Sequence, residues 1–252
     1  MNENSRTSAI AKLLYQNRQM SVADLADILQ VTPTTIRRDL IEMESLGQVI
    51  RRRGYALAPV DSATPFYKDN LFSHEKQRIA AKAAEYVNDH TSIALDSGSS
   101  VRALVQYLID EDRVKDLDIV TPSLVTATEA CAKYRVALPG GYIIPEERSL
   151  GGVDVTEFFG QVRTDIAFLG STGVLNSRGL TVSNPLMREV KNSLTHSATM
   201  RIALLDSSKY VFRGIYTFCT FDDLDVLITV ETPENRQFLD EIARHKVKIE
   251  LV

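Results

Sequence analysis

Val31-Thr32-Pro33-Thr34-Thr35-Ile36-Arg37-Arg38-Asp39-Leu40 is the stretch from which the architecture unfolds. Thr32 supplies a side-chain oxygen able to cap a helix, and Pro33 suits the first helical position, where a missing N–H costs nothing. The helix is expected to run to about Leu46 with Ile36, Leu40, Met43 and Leu46 as its buried stripe, so Thr34, Thr35, Arg37 and Arg38 project outward near its start. Just before it, Ser21 and Asp24 resemble a capping box ahead of a short helix whose apolar stripe is Val22, Leu25, Ile28 and Leu29. A tight turn at Gln30 and Val31 joins the two. Farther back, Ile10, Leu13 and Leu14 recur at helical spacing within Ser5 to Asn17, with Arg6, Lys12 and Gln16 on the other faces. A short helix, a tight turn and a helix that opens with hydroxyls and arginines is the pattern of a recognition helix in the major groove. Arginine reads guanine in two-pronged fashion, and hydroxyls suit phosphates or bases.

After Gly47 the pattern changes to Val49-Ile50-Arg51-Arg52-Arg53-Gly54-Tyr55-Ala56-Leu57, two short extended runs meeting at a glycine, as in a wing. Three consecutive arginines are ordinarily a solvated charge run; beside this helical pattern they read as a nucleic-acid contact. Winged helices also serve to join proteins, a role that calls for an apolar outward face. The polar face here points instead to double-stranded operator DNA, contacted by Ser21, Thr32, Thr34, Thr35, Arg37, Arg38, Arg51, Arg52 and Arg53.

At 252 residues the chain exceeds a typical domain of roughly 100 to 150, so one small and one larger unit are expected. A hydrophobic share of 44% and a charged share of 25% place it among soluble globular proteins with a sizeable core. The net charge is −4, but residues 1–60 carry 8 Lys or Arg against 6 Asp or Glu while residues 61–252 carry 21 against 27. A localised basic patch on a mildly acidic chain suits a specific DNA contact rather than general polyanion binding. Met1 to Ser8 are polar and no stretch nears the roughly 20 apolar residues of a membrane span, so a cytoplasmic protein is expected. Cys131 and Cys219 stand alone and read as reduced core residues; neither a metal nor a cofactor is called for.

Pro59, Asp61, Ser62, Thr64 and Pro65 mark a linker. The expected division is a winged helix-turn-helix domain over 1–58, a linker over 59–74, and an effector-binding and oligomerisation domain over 75–252. In the last of these, a helix carrying Ile79, Ala80, Ala83, Ala84 and Val87 precedes a strand at Ser92 to Asp96. Helices follow at Ser99 to Ile109, Leu124 to Lys133 and about Leu186 to His196. Strands follow at Leu117 to Thr121, Arg135 to Leu138, Ile166 to Leu169, Arg201 to Leu205 and Val226 to Thr229. This alternation predicts an α/β effector domain with a largely parallel sheet behind a small α+β winged helix-turn-helix domain.

In such sheets ligands sit beyond the C-terminal strand ends. The first such loop, Asp96-Ser97-Gly98-Ser99-Ser100, leads straight into a helix, whose free N–H groups and partial positive charge make an anion site. A serine-rich helix cap is the plainer reading of the same residues. Thr121, Ser123, Gly140 and Gly141 end further strands. Lys209 brings a compact positive charge and Asp96 an acceptor for sugar hydroxyls, although a lysine after a strand is often merely solvated.

Ser21-Val22-x-x-Leu25-Ala26 followed by Val31-Thr32-x-x-Thr35-Ile36-Arg37-Arg38-Asp39-Leu40 resembles the signature of DeoR-family bacterial regulators. The likeness continues through Glu75-Lys76-x-x-Ile79-Ala80, Asp96-x-Gly98-Ser99-Ser100, Gly140-Gly141, Gly151, Gly170-x-x-Gly173, Gly179-x-Thr181 and Asp206-Ser207-Ser208-Lys209. It implies a repressor of a carbohydrate-utilisation operon with Arg37 and Arg38 at the operator. It also implies an effector domain similar in fold to ribose-5-phosphate isomerase that binds a phosphorylated sugar or related metabolite. The phosphate would sit at Ser97 to Ser100, with Thr121, Ser123, Gly140, Gly141 and Lys209 lining the rest. Two departures are visible: Arg53-Gly54-Tyr55-Ala56 where the family usually has His-Gly-Gly-Ala, and Thr121-Pro122-Ser123 where it has Thr-Asn-Ser. A homo-oligomer, dimer or tetramer, is expected on paired half-sites.

The alternative is an isomerase-like enzyme fused to a DNA-binding module. Isomerisation needs a carboxylate base, and the corresponding stretch, Gly170-Ser171-Thr172-Gly173-Val174, has none. Glu189 and Lys191 on a nearby helix read as an exposed face or as ligand contacts, so no catalytic residue is assigned.

Overall fold

The computed structural model describes residues 3–17, 19–45, 49–57 and 73–252. Leu46, Gly47 and all but the last two residues of the expected linker lie outside these. The chain divides into two compact units, Met1–Ser73 and His74–Val252.

The first unit comprises α1 (Glu3–Asn17), β1 (Gln19–Ser21), α2 (Val22–Leu29), α3 (Pro33–Ser45), β2 (Ile50–Arg52) and β3 (Tyr55–Leu57). Ser21 Oγ accepts from Asp24 N at 3.0 Å, capping α2. The helix stops where Gln30 adopts a left-handed conformation (φ 53°) and Val31 N returns to Ala26 O at 3.0 Å. Thr32 Oγ1 then accepts from Thr35 N at 3.2 Å and opens α3. Ile10, Leu14, Leu25, Ile36, Leu40, Met43, Val49 and Ala56 form the core. Ile28, expected in the buried stripe of α2, is instead 53% exposed, because Val22, Leu25 and Ala26, with Leu29 partly buried, form the side of α2 that packs on the core. The wing is a three-stranded sheet of order β1-β3-β2 rather than a lone hairpin. Gly54 turns it with φ +82°, a conformation open to glycine, whereas Tyr55 takes no such angle and its bulk is accommodated as the first residue of β3.

The second unit runs α4 (Ser73–Ala84), β4 (Ser92–Leu95), α5 (Ser99–Asp110), β5 (Asp118–Val120), α6 (Leu124–Ala130), β6 (Arg135–Ala137), β7 (Tyr142–Ile144) and β8 (Ser149–Gly151). It continues through α7 (Val153–Gln161), β9 (Thr164–Leu169), β10 (Gly179–Val182), α8 (Pro185–His196), β11 (Ala198–Leu205), β12 (Tyr216–Thr220), β13 (Val226–Thr229), α9 (Arg236–Ile242) and β14 (Lys248–Leu251). Seven strands form one sheet of order β14-β13-β11-β9-β4-β5-β6, every pair parallel. Its central strands are apolar on both faces, as burial between helices requires. The period-2 alternation divides them: Ile166 and Phe168 pack with Ile79, Val101 and Leu104 of α4 and α5. Ala167 and Leu169 pack on the opposite face with Phe159, Val190 and Leu239 of α7, α8 and α9. The strands β10 and β12 pair antiparallel as a separate arm, and β7 and β8 as a hairpin. Cys219 is buried and its thiol pKa is pushed up to about 12 by desolvation. Cys131, read as a core residue, is exposed just beyond the end of α6.

Candidate functional sites

On α3, Thr34, Arg37 and Arg38 are exposed and share one face by their spacing of three and four. Ile41, unremarked in the sequence, continues that face at 53% exposure. Thr35 is half-buried, its hydroxyl 2.9 Å from that of the exposed Thr32, and this pair and Ser21 build the helix starts. The three wing arginines divide as well. Arg51 N and Nη1 donate to Glu44 of α3 at 2.9 and 3.2 Å, bracing β2 against the helix. Arg52 and Arg53 are exposed, and Gly54 follows them at the turn. Arg6, placed on a polar face by periodicity, is in fact 6% exposed and bonded to the fully buried Asp39. A partner 33 residues away leaves no periodic trace in the sequence.

In the second unit the chain lays down β4, β5 and β6 in one direction, then returns to place β9 on the other side of β4. The crevice between β4 and β9 is thus the point where the strand order reverses, the usual ligand position in an open α/β sheet. Asp96 and Gly170 follow those two strands. Asp96 is fully buried; its Oδ2 accepts from Gly170 N at 2.9 Å and from Lys191 Nζ, and its Oδ1 from Ser97 N at 2.7 Å. Both oxygens are occupied by protein donors, so the carboxylate ties three segments together. Lys191 is only 5% exposed, with its ammonium 5.3 Å from the Phe218 ring centre, which corrects the reading of it as part of an exposed face. Glu189 is exposed beside Arg188.

Gly98 has φ −75°, so its loop needs no left-handed residue; a Cβ there would lie 3.3 Å from Gly170 Cα, and glycine serves the close approach of the two loops. As N-cap of α5 it offers no side chain to the first N–H groups of the helix, and Ser97 and Ser99 beside it are half-buried. Ser100 is 3% exposed.

The other loops mix support with presentation. Thr121 Oγ1 donates to Leu95 O at 2.7 Å and accepts from Ser123 N at 3.1 Å, while Ser123 Oγ caps α6 through Thr126 N at 3.2 Å. Pro122 contributes only its carbonyl, which accepts from Leu150 N (2.8 Å) and Ser149 Oγ (3.1 Å) of β8. Gly140 is open, whereas Gly141 has φ +131° and a Cβ there would meet Gly151 O at 2.7 Å, a requirement of the β7–β8 hairpin. Asp206 is buried and accepts from Ser208 N at 3.0 Å. Desolvation alone would raise its pKa, but the positive charges of Lys209 and Lys76 and the bonds from Ser208 hold it below the usual carboxylate range. Ser207 N and Oγ donate to Glu75 of α4 at 2.7 and 2.9 Å, and Lys209 is half-buried at the same loop. In the loop after β9, Ser171 Oγ accepts from Thr181 N at 3.0 Å. Among the described residues no group of His, Cys, Asp or Glu is placed to hold a metal ion, and no helix is long and apolar enough to cross a membrane.

Two family models match the chain: a DeoR-like helix-turn-helix domain over residues 6–60 and a DeoR C terminal sensor domain over residues 72–231. The HTH-type transcriptional repressor GlcR of Bacillus subtilis is 30% identical over 99% of this chain and 96% of its own. The glycerol-3-phosphate regulon repressor of Escherichia coli is 25% identical over the whole of both. Among solved structures, a D-ribose-5-phosphate isomerase in complex with phospho-erythronic acid is 17% identical over 55% of this chain and 54% of its own, with a TM-score of 0.41.

Proposed function

The chain belongs to the DeoR family of helix-turn-helix regulators, and from this we infer that it is a transcriptional repressor whose hold on its operator is set by a phosphorylated sugar or related metabolite. The observation that carries the reading is the exposed Thr34, Arg37 and Arg38 face of α3, in a chain whose other unit opens a helix N-terminus at the reversal of its sheet. Arg37 and Arg38 read bases, with Thr34, Arg52 and Arg53 on the phosphates. The effector's phosphate lies at the start of α5, on the backbone N–H groups and hydroxyls of Ser97 to Ser100, with Lys209 as the charge partner. Asp96, Thr121, Ser123 and Gly141 shape this edge. Gly140 is the open position on its rim.

The chain is not an enzyme in this reading: the loop after β9 offers hydroxyls and glycine but no carboxylate to abstract a proton. It acts as a homo-oligomer on paired half-sites, in the cytoplasm where its DNA is. The sequence-level division into 1–58, 59–74 and 75–252 describes the reading half, the connection and the sensing half. The relatives named for glycerol 3-phosphate and for repression support a phosphorylated effector. The test is anisotropy of a labelled operator duplex titrated with the protein at fixed salt, with and without sugar and polyol phosphates and their unphosphorylated parents. A phosphorylated compound is expected to shift operator affinity about 5- to 150-fold where its parent does not. Equal action of parent and phosphate would overturn phosphate recognition.

A further inference from the structure

Arg6 of α1 and Asp39 of α3 form an ion pair buried on both sides, Asp39 being 0% and Arg6 6% exposed. The guanidinium meets the carboxylate with two prongs, Nη2 to Oδ1 at 2.8 Å and Nε to Oδ2. Such a pair is weak evidence for stability, because the cost of desolvating two charges offsets their attraction and apolar residues of similar volume often hold a core as well. What a two-pronged fork adds is direction. Around the pair, Ile10, Leu14, Leu25, Ile36, Leu40 and Met43 pack as an aliphatic and thioether cluster, and the burial of such surface is non-directional.

Asp39 directly follows Arg37 and Arg38 and points inward where they point outward. Contact atoms on a helix lie roughly 6 Å from its axis, so a rotation of about 20° moves them by about 2 Å, enough to break a two-pronged contact with a base. We propose that the Arg6–Asp39 pair sets the rotation of α3 and is thereby a specificity-determining pair for operator reading, acting by position and without touching DNA. The proposal rests on the reading of α3 as the recognition helix.

The test uses the full chain. The wild-type protein first enriches a duplex from a random-sequence library; failure to enrich any duplex would defeat the DNA-binding reading itself, not the role of the pair. The double variant R6L/D39L leaves the net charge unchanged, so non-specific attraction to phosphates is preserved. It is expected to unfold cooperatively, to hold an unrelated duplex within about twofold of wild type, and to weaken on the enriched duplex at least about tenfold. A folded double variant that keeps the enriched duplex within about twofold overturns the proposal. Should that variant not fold, Arg6→Lys retains the charge but loses the fork: a selective loss of several-fold on the enriched duplex upholds the proposal, and no loss, or equal loss on both duplexes, overturns it.

Discussion

At the scale of single residues, the proposed roles separate the arginines into readers and braces. Arg37→Ala is expected to cost about 1 to 3 kcal/mol on the operator with little effect on an unrelated duplex, whereas Arg53→Ala should weaken both alike and lower the salt dependence by about one counterion; titrations at several salt concentrations distinguish them. Lys191→Met removes one member of a buried pair, leaving the Asp96 carboxylate without its cation, and should lower stability by about 3 kcal/mol in urea denaturation. Asp206 predicts a pH effect. Its folded pKa is depressed, so its contribution to stability is complete above the unfolded value of about 4 and is lost as pH falls through the lower folded value. Asp206→Asn should therefore flatten the acid limb of the stability curve; an unchanged limb would mean that Lys209 and Lys76 do not govern its titration. Residues at this scale were legible where their role is local. Ser21, Thr32 and Gly54 were found from spacing alone. The partners of Asp96 and Arg6 were not, because Lys191 lies 95 residues and Asp39 33 residues away, and no local period records such a meeting.

Elements were legible in proportion to their apolar run. The central strands at 166–169, 202–205 and 226–229 are buried on both faces and stand out as runs that are apolar but for Thr229. The short strands β7, β8, β10 and β12 carry mixed residues, and their pairing depends on backbone fit. The arm shows why: a Cβ on Gly179 would lie 2.0 Å from Cys219 O, and one on Gly214 would lie 2.4 Å from Val182 O. These glycines are there for proximity, which a pattern of polarity does not reveal. Gly214→Ala should force the two strands apart and cost about 2 to 4 kcal/mol, read as a lower denaturation midpoint. A midpoint unchanged from wild type would show that the arm shifts freely.

Over the whole molecule, two units with separate cores should melt as two transitions in calorimetry. Operator DNA should raise chiefly the one belonging to residues 1–73, and a phosphorylated effector chiefly the one belonging to residues 74–252, each moving the other by no more than the coupling between the two sites. A single transition moved by either ligand would contradict independent cores. The strand order has one more consequence, in the time dimension of synthesis. The helices and wing of the first unit end at residue 57, whereas β9, which closes the open side of β4, ends at residue 169. At about 5 to 20 residues per second, the ribosome needs on the order of ten seconds to bridge that gap. Throughout it the reading half has all of its own core residues, while from residue 137 until β9 is made the sensor has three strands of its sheet and a bare edge at β4. A message cut short in that interval therefore encodes the helix-turn-helix unit without a complete sensor domain.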